Sequence, residues 1–287
     1  MRYLTKEWYN LCQRTCLYFG MKVNNGAAVL DEQLYLRLYK HKEKKFIRER
    51  REIYDYDPRS IFNYYEGEFI PLEKFLDGEE IAEENKVVFH MSSDEREYIQ
   101  NRIVEYDARP PFDENRCKEE FRMIQETFKQ KDLEEKVPVE LLEQIADRRV
   151  FCLGYCTKDI LKQLKRISQE NEKLTENILN EYSRAQKAEA IPDYISESYG
   201  FHDSRVIEFT VHDNVIIRFE KGGFTEYNKI TFVMPEVLKQ EDDIIDKTWI
   251  YNELYRTERG YEAHMLFSGE KTIELTIGCT DIIIEKE

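Results

Sequence analysis

The chain has 287 residues, enough for one large domain or two of ordinary size. Charged residues make up 35% and hydrophobic residues 41%, which excludes a membrane protein, and 13% aromatic residues exclude intrinsic disorder. The formal net charge is −15, although the first 60 residues carry 13 basic and 8 acidic side chains, so the negative charge lies further along the chain. An acidic body repels phosphate backbones, and we therefore expect no nucleic-acid partner.

The cellular location of the protein is predicted from the length of its apolar runs and from its cysteine content. No apolar run approaches the roughly 18 residues of a membrane span, and the opening residues lack the apolar core of a signal peptide. A chain of this size folds without covalent links, so its 6 cysteines are expected to be thiols. We predict a cytoplasmic protein with no membrane partner.

Apolar residues at spacings of three and four predict helices in the first two thirds of the chain. The first extends from Leu4 to Phe19 and ends at Gly20, and the second contains Leu38 and the basic stretch at residues 40–51. We expect that stretch to be solvated, because its own glutamates can pair along the helix. Residues that favour helix starts begin the next four predicted helices, at Asp57, Ser92, Asp113 and Pro138.

The longest predicted helix covers residues 157–190. Its apolar positions alternate in steps of four and three, with Asn171 in the slot where an apolar residue is missing. The positions predicted to pack are Ile160, Leu164, Ile167, Leu174 and Ile178. The pattern lasts fewer than three heptads, so it fits packing within the protein and a homodimer through this helix equally well.

Beyond Tyr194 the apolar period changes from about 3.6 to 2, which predicts strands. The predicted strands cover residues 206–211, 215–219, 230–234, 249–255, 261–267, 272–277 and 281–285. Gly222 and Gly223 predict a turn, and the acidic residues 236–246 predict a loop. The expected fold is therefore α+β, with a helical domain at 1–195 and a mostly antiparallel, meander-like sheet domain at 196–287.

Two short tracts resemble a known family: LTKEWY at residues 4–9 and GFHDSRV at residues 200–206. With the order of helices followed by strands, they are similar to a bacterial family catalogued as domain of unknown function 4085. The resemblance covers most of the chain and implies a bacterial protein. It implies no activity, cofactor or partner.

Signature motifs for nucleotide, nucleophile and zinc-protease chemistry are absent from the sequence, so we expect no cofactor. Cys12 and Cys16, and likewise Cys152 and Cys156, have a spacing that structural zinc sites use. The first pair also falls on the apolar face of the first predicted helix, where cysteine serves as a small buried hydrophobe. We prefer the buried thiols to zinc.

His202 and Asp203 form the pair found in metal-dependent phosphohydrolases, and Asp213 is a further carboxylate candidate. That pair belongs on a helix among other metal ligands, whereas here it precedes a predicted strand. The alternative is a turn in which Asp203 accepts hydrogen bonds from the following backbone amides. We favour the turn.

Three functions stay open from the sequence. The first is a non-enzymatic interaction or regulatory protein, in which a helical domain supports a tyrosine-rich β module that recognises another protein. The second is a metal-dependent hydrolase that uses His202 and Asp203. The third is an acidic inhibitor, similar to toxin-neutralising proteins, whose negative surface charge complements a basic partner.

Overall fold

A computed structural model describes residues 1–65, 68–69, 87–88, 91–221 and 225–287. The predicted turn at Gly222 and Gly223 lies outside these residues. The helices are α1 (Lys6–Cys12), α2 (Glu32–Asp55), α3 (Arg59–Tyr65), α4 (Ser93–Ala108), α5 (Glu114–Met123), α6 (Lys129–Lys136), α7 (Val139–Leu142), α8 (Arg148–Cys152), α9 (Lys158–Ala188) and α10 (Asp193–Ser196). A 3-10 turn covers Asn25–Ala28, and a π-helical segment, Ile124–Phe128, joins α5 to α6.

The strands are β1 (Lys22–Val23), β2 (Glu68–Phe69), β3 (Val87–Val88), β4 (Tyr155–Cys156), β5 (Ser204–Val211), β6 (Asn214–Phe219), β7 (Lys229–Val233), β8 (Glu236–Gln240), β9 (Thr248–Thr257), β10 (Gly260–Ser268), β11 (Ile273–Cys279) and β12 (Asp281–Glu285). Helices therefore precede the main sheet, as predicted.

Several helices begin at the predicted capping residues. The Ser92 hydroxyl accepts from the Glu95 amide at 3.2 Å, and the Glu95 carboxylate accepts from the Ser92 amide at 2.8 Å, a complete capping box. The Asp113 carboxylate caps α5 by accepting from the Arg116 amide, and the Thr157 hydroxyl, at the predicted start of the longest helix, caps α9 by accepting from the Ile160 amide. These predicted helix starts are confirmed. They could be predicted because the residues of each cap lie within one helical turn of one another.

The first predicted helix is too long. α1 ends at Cys12, where the amides of Arg14 and Thr15 bond carbonyls three residues back and tighten the last turn. Phe19 is consequently 84% exposed, and Cys16 is exposed as well. The expectation that Cys16 lies buried beside Phe19 is wrong.

The C-terminal part forms an eight-stranded antiparallel sheet with the order β12-β7-β6-β5-β9-β10-β11-β8. Strands β5 to β7 and β9 to β11 are two meanders, whereas β8 and β12 pair away from their neighbours in sequence. The predicted α+β class with an antiparallel sheet is confirmed.

Strand β8 overturns the predicted loop at residues 236–246. It pairs with β11, with Gln240 opposite Leu275, and all five of its residues are exposed. Edge strands are commonly short and charged, which protects them from pairing with other chains. That composition is also why the segment resembles a loop.

A single apolar core joins the two meanders. Trp249 is fully buried at its centre, and its ring lies 5.6 Å from that of Phe201 and 5.4 Å from that of Phe267. Alternate residues of the strands point into this core, as the apolar period of two predicts.

The long helix α9 buries a different stripe from the one predicted. Ile160 and Leu164 are buried, but the stripe then continues through Ser168 and Thr175, and Leu174 is 52% exposed. A straight helix drifts away from a heptad pattern, so the buried face moves by one residue. The buried face at Thr175 also makes a polar contact: the Trp8 indole donates to the Thr175 carbonyl at 3.2 Å.

Leu174→Asp is therefore expected to leave the melting temperature nearly unchanged, within the roughly 0.5 kcal/mol typical of surface substitutions. Leu164→Asp is the matched control and should unfold the protein, because Leu164 is fully buried. Thermal unfolding measures both. The homodimer through residues 157–190 stays a prediction, and the solution mass of Leu174→Asp beside wild type tests it.

Contacts group the chain into two compact units. The first unit comprises residues 1–25, 134–145 and 156–287, and the second comprises residues 26–133 and 146–155. The first unit is discontinuous in part because α1, near the start of the chain, packs against α9, which in turn contacts β9. The predicted domain boundary at 195/196 marks the change from helix to strand and otherwise stays a prediction. No helix among the described residues is long and apolar enough to cross a membrane.

Candidate functional site

His202 and Asp203 lie where the chain enters β5. The His202 Nδ1 is 3.1 Å from the Asp203 Oδ2, and the two side chains are 53% and 52% exposed. The Asp203 backbone has a φ of +62°, and its amide donates to the Trp249 carbonyl at 2.8 Å. The described contact of the Asp203 side chain is thus with His202 rather than with the following amides.

Asp213 lies at the tip of the hairpin between β5 and β6, where the His212 amide donates to the Asn214 carbonyl at 3.0 Å. Across the described part of the chain, no three His, Cys, Asp or Glu side chains gather closely enough to hold a metal ion. The structure therefore does not bring Asp213 together with His202 and Asp203. The hydrolase stays a hypothesis, which a rise in melting temperature with Mn²⁺ would favour.

Backbone conformation gives Asp203 a testable role. A positive φ suits Gly, Asn and Asp, whereas alanine is strained there. Asp203→Gly and Asp203→Asn should therefore unfold at nearly the wild-type urea concentration, and Asp203→Ala should lose about 1 kcal/mol. A turn held by the Asp203 carboxylate gives a different result, because glycine would then be as damaging as alanine.

The four cysteines of the alternative zinc site differ in exposure. Cys16 is exposed, Cys12 and Cys152 are half-buried, and Cys156 is buried. Burial raises the pKa of the Cys12 and Cys156 thiols, which opposes the thiolate form that zinc requires. Within the described residues they do not join into one ligand group.

A buried carboxylate on β9, which sequence reasoning missed, holds the opening residues of the chain. Glu253 is fully buried and accepts hydrogen bonds from the amides of Arg2, Tyr3 and Leu4 at 2.6, 2.8 and 2.6 Å. The Tyr255 hydroxyl donates to the same carboxylate at 2.7 Å. Burial and this bond raise the pKa of Tyr255. Four donors therefore converge on one side chain.

Further polar groups surround Glu253 on this face of the sheet. His264 is buried, with its Nε2 2.7 Å from the Glu262 Oε1 and its Nδ1 3.3 Å from the Thr276 hydroxyl. Burial lowers the pKa of His264, although the nearby Glu262 carboxylate acts to raise it. Because side chains alternate along β10, His264 points to the face opposite the core residues Ala263 and Met265. Charged residues inside apolar strands were the available signal for this cluster.

Glu241 links the edge of the sheet to α1. Its carboxylate accepts from the Glu274 amide at 2.9 Å, binds Lys6 and lies 3.1 Å from the Lys239 ammonium. Although burial opposes it, these contacts lower the pKa of Glu241 to about 2. The cluster as a whole anchors the opening residues on the sheet.

The second unit contains a groove between α2, α3 and α4, with a volume of about 810 Å³. Three large apolar side chains in it face solvent: Ile53, Tyr56 and Tyr98 are 69%, 59% and 64% exposed. We call this feature the aromatic groove. Sequence reasoning did not find it, because its residues come from three separate helices.

Stacking of an arginine on two tyrosine rings orders side chains on one wall of the aromatic groove. The Arg109 guanidinium lies 3.2 Å from the ring centre of Tyr106 and 4.3 Å from that of Tyr54. The Tyr54 hydroxyl donates to the Pro110 carbonyl at 2.7 Å. These contacts order the side chains of Tyr54 and Tyr106.

Residues 112–279 match a family described as "Protein of unknown function (DUF4085)". The chain belongs to this family. The resemblance inferred from the two short tracts is thereby confirmed. No curated protein and no solved structure matches the chain.

The two features differ in their relation to the DUF4085 match. Glu253, Tyr255 and His264 lie inside the matched residues, together with most of the sheet. The aromatic groove lies before residue 112 and thus outside the match. Glu253, Tyr255 and His264 are therefore inside the matched region, whereas the residues that line the aromatic groove precede it.

Proposed function

We propose that this DUF4085 protein is a non-enzymatic interaction protein that binds an amphipathic segment of a partner protein in the aromatic groove. The observation that carries the proposal is the exposure of Ile53, Tyr56 and Tyr98 along one concave surface. Contiguous exposed apolar surface in a folded protein commonly marks a binding site. We further propose that it acts in the cytoplasm of a bacterium.

Aromatic side chains suit this role. Tyrosine contributes a large contact area with few rotatable bonds, so little conformational entropy is lost when a partner binds. In the aromatic groove, Tyr54 and Tyr106 are already ordered by Arg109. Binding to an ordered surface costs less free energy than binding to a mobile one.

The charged side chains that line the aromatic groove indicate the charge of the partner segment. Glu49, Glu52 and Glu105 line the groove, against Arg102 and the stacked Arg109. We therefore expect a segment with apolar anchors flanked by Lys or Arg, which is also what a toxin-neutralising inhibitor would bind.

Selection of short peptides from a random display library on the full-length protein tests the proposal. We expect enriched peptides to combine aromatic or aliphatic residues with basic ones. Synthetic versions should bind wild type in a fluorescence anisotropy titration, and Tyr98→Glu should weaken binding by about tenfold or more, as loss of an interface anchor does. Tyr98 is exposed, so the variant should keep the fold.

Met234→Glu is the matched control, because Met234 is a 72% exposed apolar residue of the first unit and is not among the residues that line the groove. It should bind the peptides like wild type. Peptides that bind Tyr98→Glu and Ile53→Glu as tightly as wild type would contradict the aromatic groove as the site.

A further inference from the structure

A pocket of the first unit lies between the end of α9, α10 and the outer edge of β9, with a volume of about 480 Å³. That volume is within the roughly 300–1,000 Å³ of sites for small-molecule ligands. Its lining residues all fall between positions 182 and 254, inside the part of the chain that matches DUF4085. None of them lines the aromatic groove.

The floor of this pocket is an edge of β9 that side chains, rather than a strand, cover. Among the described residues, β5 pairs with β9 only at the first two residues of β9. Further along this edge, the Tyr182 hydroxyl and the Gln186 side-chain amide donate to the carbonyls of Asn252 and Leu254, both at 3.1 Å. The edge at these two residues therefore faces Tyr182 and Gln186, which line the pocket.

A backbone donor on this edge lacks an acceptor. The Arg256 amide donates to the Glu189 carboxylate at 2.8 Å, so its N–H points away from β10. Backbone groups two residues apart on a strand point to the same side, and the Leu254 amide therefore points to the edge that faces the pocket. Within the described residues this amide has no hydrogen-bond acceptor, although Leu254 is only 3% exposed. Buried amides without an acceptor are rare, which points to a ligand oxygen at this position.

Two side chains of opposite charge, Lys187 and Asp193, line the same pocket. Neither forms an ion pair with another of the described residues. Apolar surface beside them comes from Ala190, Ile191 and Leu254. A ligand with a single charge would be attracted by one of the two charged groups and repelled by the other, whereas a ligand with one charge of each sign can pair with both.

We propose that this pocket binds a free amino acid with an apolar side chain. The ligand carboxylate accepts from the Leu254 amide and pairs with the Lys187 ammonium, and the ligand ammonium pairs with the Asp193 carboxylate. The ligand side chain contacts Ala190 and Ile191. The inference goes beyond the proposed function and does not depend on it, because the pocket and the aromatic groove belong to different units and share no lining residue.

Calorimetric titration of the full chain with three related probes tests the proposal. L-Leucine carries both charged groups, isocaproate lacks the ammonium group, and isopentylamine lacks the carboxylate. We expect one L-leucine to bind per chain and the other two probes to bind at least about tenfold more weakly, because each loses one charge-assisted interaction. Isocaproate or isopentylamine binding as tightly as L-leucine, or an absence of L-leucine binding, would overturn the proposal.

Lys187→Gln and Asp193→Asn should each weaken L-leucine binding by about tenfold, since each removes one charged partner of the ligand. Lys173→Gln and Asp242→Asn are the matched controls, because both residues are exposed and neither lines the pocket. They should bind L-leucine like wild type. Equal affinities of the pocket variants and the controls would contradict the site.

Nuclear magnetic resonance of protein labelled with isotopic leucine observes the Leu254 amide directly. Its resonance, assigned by its loss in Leu254→Met, should shift when L-leucine binds, because the amide gains an acceptor. This measurement uses the wild-type charges, so it keeps the proposal testable if Lys187→Gln or Asp193→Asn does not fold. A Leu254 resonance that does not move at saturating L-leucine would overturn the proposed contact.

Discussion

Glu253→Ala is expected to lower the free energy of unfolding by about 3–5 kcal/mol, the range seen when one partner of a buried charged interaction is removed. The amides of Arg2, Tyr3 and Leu4 and the Tyr255 hydroxyl all donate to this carboxylate. Without it, these donors lose their acceptor, and the hydrogen bonds from the Leu4 amide and the Tyr255 hydroxyl are buried. Urea unfolding at neutral pH measures the loss.

Glu253→Gln should fall between alanine and wild type, because the amide supplies one acceptor oxygen and turns its NH₂ toward donors. Glu258→Ala is the matched control, since Glu258 is exposed in the turn after β9, and it should unfold like wild type. A Glu253→Ala protein as stable as Glu258→Ala would show that the opening residues are not held by this carboxylate.

Trp249→Ala is expected to cost about 3–5 kcal/mol, as truncation of a buried aromatic side chain does. Its ring lies within 5.7 Å of the rings of Tyr199 and Phe219, and its indole donates to the Asn252 side chain at 3.2 Å. Alanine leaves a cavity that rigid neighbouring rings cannot fill. Near-ultraviolet circular dichroism during urea unfolding reports both the packing and the stability.

Trp249→Phe should recover part of the loss, because it keeps a six-membered aromatic ring in the core and loses the five-membered ring with its N–H donor. Phe19→Ala is the matched control for an aromatic truncation, since Phe19 is 84% exposed, and it should change stability by about 0.5 kcal/mol or less. Equal stabilities of Trp249→Ala and Phe19→Ala would argue against a core centred on Trp249.

Helix starts and strand positions follow from local interactions and could therefore be predicted. The capping box of Ser92 and Glu95 is complete within four residues, and the cap at Thr157 is within three of its partner, Ile160. The apolar period of two beyond Tyr194 indicated seven of the eight strands of the main sheet. Such signals need no knowledge of the rest of the chain.

The predicted site residues were recognised as residue types, but their geometry was not predictable. His202 and Asp203 do contact each other, because they are adjacent, while Asp213 and the four cysteines are not gathered with further ligands in the described ranges. Convergence of side chains depends on how distant elements pack. Short-range sequence patterns carry no information on it.

By itself, the sequence determined the α+β class, the order of the elements and the helix caps, because neighbouring residues decide these features. The tertiary structure decided which face of α9 is buried, so that Thr175 lies inside and Leu174 outside. It also decided the role of Glu253, whose bonded partners lie about 250 positions away in the chain. A charged residue in a strand is stable in the interior only when such distant donors reach it, and only the folded chain brings them there.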